Sequence, residues 1–396
     1  MLALSVILKE RGYETVLCAP PENAGRARRL GVSFHPVGRS VEEFAETVPE
    51  PPLHPVRATI ALTRFLQKEL VTQILELSEF IRGCNLLLSA SLMLGAPTAA
   101  EVAGIPYRFV AYCPQLLPSA EYPALMFRNH TRPRFLNRLS WSFNEMTWNA
   151  AILPSLNRTR RTLGIAPRTN FTFHWLGPRV ILASDAPLGE APKDAALPCT
   201  QTGYLHLRRE EPLPPDLQAF LEGPPAVFVG FGSMRSEDPA GLSRLILGAA
   251  RTARVRLVLS RGSAGFMLNE PDCFIAGDVS HENLFRRMAA VVHHGGSGTT
   301  STAARAGVPQ VIVPHISDQF YWAHRIHKLG LGPKAIWRAR LTRDNLAAAM
   351  RACISDDSMR RRAQQTASDL ARTDPEEAAV RAVESTLRTY NVPDGS

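Results

Sequence analysis

Between Ala289 and Gln319 the chain runs AAVVHHGGSGTTSTAARAGVPQVIVPHISDQ, and the residue types best suited to chemistry are concentrated there. Gly295, Gly296 and Gly298 leave backbone N–H groups with few side chains in front of them. Ser297 and Thr299 add hydroxyl donors, and His293 or His294 adds a ring N–H. A glycine-rich turn that opens a helix is an anion cradle, because the first helical turn carries unpaired N–H donors and the positive end of the dipole. Asp318 and Gln319 add an acid–amide pair close by in sequence. Cradle and pair together suit a nucleotide diphosphate joined to a polyhydroxylated group. The competing reading is an ordinary tight turn, with Asp318 merely capping a helix that starts near Phe320. Turn chemistry alone does not choose between them.

Positioning such groups takes a βαβ unit. Ala289–Val292 is a short apolar run of the kind a buried parallel strand needs. Thr300–Arg305 is helix-compatible and stops near Gly307–Val308–Pro309, while Gln310–Val313 is a second strand ended by Pro314. Ligands of open α/β sheets sit at the carboxyl edge of the strands. Two more turns fall on that edge. Gly232–Ser233–Met234 follows the strand Ala226–Phe231, and Gly277–Asp278–Val279–Ser280 follows Phe274–Ala276, where backbone groups can pair with a nucleobase. Helices are expected at Pro239–Arg251, Tyr321–Leu329 and Arg343–Ile354, with a last charged helix over Met359–Tyr390.

The first half alternates helix and strand from Met1–Arg11 onward, so a second parallel sheet is indicated. Pro49–Pro55 is a loop and Val56–Phe80 a long helix, followed by strands at Asn85–Ala90 and Ile105–Tyr112. Cys113–Ile152 is unusual. Tyr122, Phe127, Phe135, Trp141, Phe143 and Trp148 lie among prolines and can line an apolar acceptor cleft, or simply pack beneath a long loop. Asn157–Leu163 is helical. Ala186–Pro225, rich in Pro, Gly and charge, marks the domain boundary. Residues 1–200 are therefore expected to form one domain, 201–224 a linker, 225–370 a second domain, and 371–396 a C-terminal helix and tail.

At 396 residues the chain suits two α/β domains. Six cysteines are scattered without a CxxC pair, which argues for a reducing compartment and against a disulfide framework or zinc site. No apolar run approaches the roughly 20 residues of a membrane helix, and no leader-like segment opens the sequence. A cytoplasmic protein is expected. The net charge of +9 is spread over many helices, without a nucleic-acid motif. A solvated surface explains it most simply, with peripheral contact to an anionic membrane as the alternative. His324 and His327 lie i, i+3 and a polar helix face accounts for them better than a metal. His35, His174 and His206 show no partner in the sequence, and His315 and Trp322 flank the acid–amide pair.

Taken in order, Thr202–Gly203–Tyr204, Val229–Gly230–Phe231–Gly232–Ser233–Met234, His293–Thr300, Gly307–Val308–Pro309–Gln310 and Asp318–Gln319 form a set. With Tyr112–Cys113–Pro114–Gln115 and Pro118–Ser119, the set resembles the UDP-glycosyltransferase family of GT-B fold over nearly the whole chain. The branch is that of sterol glucosyltransferases and the bacterial enzymes that glycosylate glycopeptide and polyketide antibiotics. The resemblance implies two Rossmann-like domains whose parallel sheets face a central cleft, with the C-terminal helix crossing back to the first. It implies inverting, metal-independent transfer of a hexose from a UDP- or dTDP-sugar to a lipophilic or multi-ring acceptor, by a monomer without cofactor. In donor binding, Gly232, Ser233, His293, Gly296, Ser297, Gly298 and Thr299 would face the diphosphate, with His293 stabilising it. Asp318 and Gln319 would hold sugar hydroxyls, and the backbone of Val279 would meet the base. The family's general base lies on a loop between a first strand and the helix that Met1–Val6 matches, so no catalytic base is assigned. That strand and loop are expected upstream of Met1. Two rivals follow: a non-catalytic or truncated relative that binds ligand or a partner, and an epimerase, against which the aromatic stretch argues.

Overall fold

The computed structural model describes residues 1–40, 55–207, 211–262, 264–266, 268 and 270–390. The loop expected at Pro49–Pro55 lies outside them, apart from Pro55 itself, which opens a helix.

The first domain comprises α1 (Leu2–Glu10), β1 (Val16–Ala19), α2 (Ala24–Arg29), β2 (Ser33–Pro36), α3 (Pro55–Phe80), β3 (Leu87–Ala90), α4 (Ala96–Ala103), β4 (Tyr107–Ala111), α5 (Arg134–Thr162), α6 (Phe171–Leu176), β5 (Val180–Leu182) and β6 (Cys199–Gln201). Its strands are parallel and fall into two sheets, β1–β2 and β3–β4–β5–β6, which do not hydrogen-bond to each other. The main core packs α3, α4, α5 and α6 on the larger sheet through Leu70, Ile74, Phe109, Leu156 and Phe171.

The second domain comprises α7 (Pro215–Leu221), β7 (Ala226–Gly230), α8 (Pro239–Ala253), β8 (Arg256–Ser260), β9 (Cys273–Ala276), α9 (His281–Phe285), β10 (Ala290–His293), α10 (Ser297–Arg305), β11 (Gln310–Ile312), α11 (Gln319–Lys328), α12 (Arg343–Ser355) and α13 (Asp357–Ala371). Its sheet is wholly parallel in the order β11–β10–β7–β8–β9. Apolar clusters cover both faces, which is why these strands are continuous hydrophobic runs in sequence. A further cluster spans the domains, joining Cys113 and Leu188 of the first to Ile312, Tyr321, Trp322 and Ile326 of the second. The last helix, α14 (Pro375–Tyr390), crosses back, burying Ala379, Val380 and Val383 against Leu4, Ile7 and Leu8 of α1.

Two expectations need correction. Cys113–Ile152 is not a long loop, because α5 starts at Arg134 and runs unbroken to Thr162, through Pro154. Its buried face carries Asn137, Ser140 and Asn144. Asn137 donates to the Ala120 carbonyl at 2.9 Å, and the Ser140 hydroxyl accepts from Ala124 N–H at 2.9 Å. A helix that buries polar groups in this way has no apolar period to detect. The final charged helix is two helices, since Pro375 follows Asp374 and the residue before a proline is driven out of the helical region. The short elements β6, α6 and α7 have no counterpart in the sequence reading.

Candidate functional site

Register brings the second domain's turns together. Gly230, the last residue of β7, is paired with His293, the last of β10, and His293 with Ile312 at the end of β11. Gly232–Ser233, His294–Gly295–Gly296 and the 313–318 loop therefore leave one edge of the sheet side by side. Ser260 pairs with Ala276, so Gly277–Ser280 leaves from the same edge. Gly232 adopts φ +58 and Gly295 φ +92, which only glycine takes readily.

The cradle helix α10 begins three residues earlier than the sequence suggests, with Gly296 as its N-cap. No side chain caps it. The amides of Ser297, Gly298 and Thr299 in its first turn therefore have no partner within the helix. All three residues and Gly296 are half-buried, and Gly232 and Ser233 are exposed.

The two histidines differ. His293 is fully buried. Its Nε2 meets Gln310 Oε1 at 2.9 Å, and its Nδ1 accepts the Gly295 N–H at 3.1 Å. Burial pushes its pKa down to about 3, so the ring is neutral. With both nitrogens engaged inside the fold, His293 does not present its ring to the cradle, contrary to the role expected for it. His294 does. A Cβ on Gly296 would stand 2.5 Å from its Nε2, and one on Gly232 would stand 2.9 Å from its Cε1. The ring is wedged between the two glycine turns, and its Nδ1 has no hydrogen-bond partner among the described residues.

The acid–amide pair is also split. Gln319 is buried, and its Oε1 accepts from the backbone N–H of His315 at 2.7 Å and of Ile316 at 3.0 Å. It braces the loop, and its amide nitrogen donates to Met234 Sδ at 3.8 Å, on the turn that follows β7. Within that loop Ser317 holds φ 53, an uncommon conformation for a non-glycine residue. Asp318 is the N-cap of α11 by position, yet its side chain caps nothing. Burial raises its carboxyl to about 6. Val279 is half-buried between exposed Asp278 and Ser280, whose hydroxyl caps α9.

The aromatic residues of the first domain divide by environment. Trp148 stacks on Phe171 and Trp175 in the core, at ring separations of 5.5 and 6.2 Å. Tyr122 meets Tyr321 of α11 edge-on at 5.1 Å within the cluster that spans the domains, and His130 stacks on His324 at 5.5 Å. Phe135 and Phe143 are exposed. His324 and His327 belong to no group of three or more metal-ligating side chains among the described residues. The histidines without an evident partner acquire one, His35 on Phe80, His174 on Thr98 and His206 on Ser301. A cavity of about 610 Å³, lined by Glu101, Arg168 and His174, lies near the starts of β4 and β5, at the opposite edge of the first sheet from its cleft-facing end.

No helix among the described residues is long and apolar enough to cross a membrane. Residues 260–385 match the family described as erythromycin biosynthesis protein CIII-like, C-terminal domain. Over 343 residues the chain is 36% identical to glycosyltransferase GtfE of Amycolatopsis orientalis, covering 84% of this chain and 81% of that one. Sterol 3-beta-glucosyltransferase UGT80B1 of Arabidopsis thaliana is 29% identical over 377 residues, 88% of this chain and 60% of the plant protein. The structure of glycosyltransferase VinC in complex with dTDP aligns with a TM-score of 0.68 at 20% identity, spanning 98% of this chain and 96% of that one.

Proposed function

Since the chain belongs to the UDP-glycosyltransferase family of GT-B fold, we propose that it moves a hexose from a nucleotide-diphosphate sugar to a hydroxyl of a lipophilic or multi-ring acceptor. An antibiotic aglycone or a sterol is the acceptor class that the relatives suggest, among them a vancomycin aglycone glucosyltransferase of Amycolatopsis orientalis, 36% identical over 342 residues. The observation that carries the donor assignment is the pair of glycine turns at the ends of adjacent β7 and β10, with the His294 ring between them and the uncapped start of α10 beside them.

In the proposed reaction the acceptor oxygen bonds to the anomeric carbon with inversion as the bond to the diphosphate oxygen breaks. The electron pair leaves on the diphosphate, and the acceptor's proton goes to a base for which we nominate no residue. Charge grows on the departing group. The first-turn amides of Ser297 to Thr299 are fixed donors for it, the helix dipole adds a favourable field, and the Ser233 hydroxyl is assigned to it as a further donor. This positive field supports a metal-independent step. His294 is our choice for the ring that faces the diphosphate, with His293 holding the turn. Asp318 and the amide nitrogen of Gln319 are assigned to sugar hydroxyls, and the backbone of Val279 to the base. In this reading residues 1–200 take the acceptor, 201–224 link, with α7 at their end packed on the second sheet, 225–370 bind the donor, and 371–396 return to the first domain through α14. We further propose a cytoplasmic monomer, with peripheral membrane contact a secondary reading of its positive charge. The named relatives are transferases, so neither the non-catalytic nor the epimerase reading is favoured.

Calorimetric titration with UDP and dTDP, followed by transfer from the matching labelled sugar to an aglycone panel, tests this. Binding of either nucleotide with a dissociation constant below about 1 mM, and transfer to a multi-ring acceptor, are expected. Failure of both nucleotides to bind would sink the donor assignment.

A further inference from the structure

Behind the cradle lies a buried polar network that neither donor turn contains. Asp185 follows β5 at the cleft-facing edge of the first sheet, and its side chain is 1% exposed. Its carboxylate accepts from Arg305 Nη2 at 2.6 Å, from the Ser301 hydroxyl, and from the Tyr204 backbone N–H at 3.1 Å. Ser301 and Arg305 stand one turn apart on α10. The linker supplies the rest. His206 Nε2 meets Ser301 Oγ at 3.0 Å and its Nδ1 meets Thr302 Oγ1 at 3.3 Å. Burial, aided by the charge of Arg305, pushes the pKa of His206 down to about 4. Its ring is therefore neutral near pH 7, and its 3.6 Å approach to Glu282 is no ion pair there. Tyr204 reaches the helix start, since a Cβ on Gly298 would stand 2.6 Å from its hydroxyl. Gly203, at φ +90, threads between Asp185 and Pro375, 3.3 and 2.9 Å from where its Cβ would be.

A buried carboxylate is tolerated only when paired and hydrogen-bonded. Here the cation and the hydroxyl come from the second domain and the backbone donor from the linker. The charge of Asp185 is thus satisfied only when the two domains stand in one relation, and that relation fixes α10. We propose that Asp185 is a positioning residue for sugar transfer, holding the cradle helix against the acceptor domain. The proposal rests on the assignment of α10 to the donor diphosphate. Both donor turns belong to the second domain, so donor affinity does not need Asp185. Alignment of donor with acceptor does, and a misplacement on the order of 1 Å is enough to cost about 100-fold in rate.

The test compares the unsubstituted chain with Asp185→Asn by UDP and dTDP titration and by hydrogen exchange over residues 186–206. Nucleotide is expected to slow linker exchange, the Tyr204 amide included, by about tenfold in the unsubstituted chain, a coupling of ordinary size. Asp185→Asn is expected to bind nucleotide within about twofold yet lose that linker protection. In transfer assays its kcat should fall about tenfold at unchanged donor KM. Arg305→Gln, which leaves the Ser301 and Tyr204 bonds in place, should show the same split and serves if Asp185→Asn does not fold. Linker protection that survives in the variants overturns the proposal. So does a loss of nucleotide affinity that tracks a fall in Tm, which marks a merely structural role. No nucleotide binding by the unsubstituted chain removes the donor assignment itself, whereas binding there without linker protection removes only the role of Asp185.

Discussion

His293 and His294 are neighbours in sequence, but His293 ends β10 and lies inside the sheet while His294 begins the turn. Successive side chains of an extended chain point to opposite sides, so one ring goes under the turn and the other onto it. The two substitutions should therefore behave differently. His293→Ala strips partners from Gln310 and the Gly295 amide and should lower stability by about 1–3 kcal/mol, visible as a fall in Tm. His294→Ala should leave Tm nearly unchanged and weaken UDP or dTDP binding about tenfold, or about 1.4 kcal/mol. Calorimetry and thermal unfolding of both variants check this, and equal nucleotide affinity in His294→Ala and the parent would remove His294 from the site. The doubled histidine was plain in the sequence. Which ring faces out depends on where the strand stops, and a glycine-rich boundary does not mark that residue.

Elements were legible where one face is apolar and one polar, or where a strand is buried on both faces. The second domain's strands were read to within a residue or two for that reason. α5 was not, because its packing runs through Asn137, Ser140 and Asn144 and through aromatics that the prolines upstream make look like loop. The break between α13 and α14 lets α14 return to the first domain and close α1 from one side. Val380 and Val383 are 2% and 3% exposed in that contact. Replacing both by Ala should cost about 3–5 kcal/mol together. Nucleotide binding, which we assign to the other domain, should be retained below the new Tm. A denaturation curve with and without UDP checks both halves of the expectation.

At the scale of the molecule, burial sets the response to acid. It lowers His130, His206 and His315 to about 4, and His174 and His293 to about 3. These rings are neutral in the fold but titrate near 6.5 when unfolded. The unfolded chain binds more protons in between, so their contribution is lost as pH falls from about 6.5 toward 4. Asp318 acts in the opposite sense. Its folded value of about 6 exceeds the ordinary 3.8, so the fold holds its proton more tightly and its contribution falls as pH rises through that window. The histidines outnumber it, and Tm should drop between pH 7 and pH 5. Asp318→Asn, freed of the opposing titration, should lose stability more steeply over the same range. Parallel Tm–pH profiles for parent and variant would show that Asp318 is not held protonated by burial.

The sequence by itself determined the two-domain α/β architecture, the family and the stretch on which the donor assignment rests. Alternation of apolar runs with glycine-marked turns is a local property, carried by neighbours in the chain. Contacts between distant residues belonged to the tertiary structure alone. Pairing of His293 with Gly230 on one side and Ile312 on the other sets three turns on one edge, and Arg160, fully buried, reaches Glu101 at 2.9 Å from 59 positions away. Asp185 meets Arg305 across 120 positions and the domain boundary. No spacing rule links such residues, because what joins them is the need to satisfy a buried charge once packing has removed water.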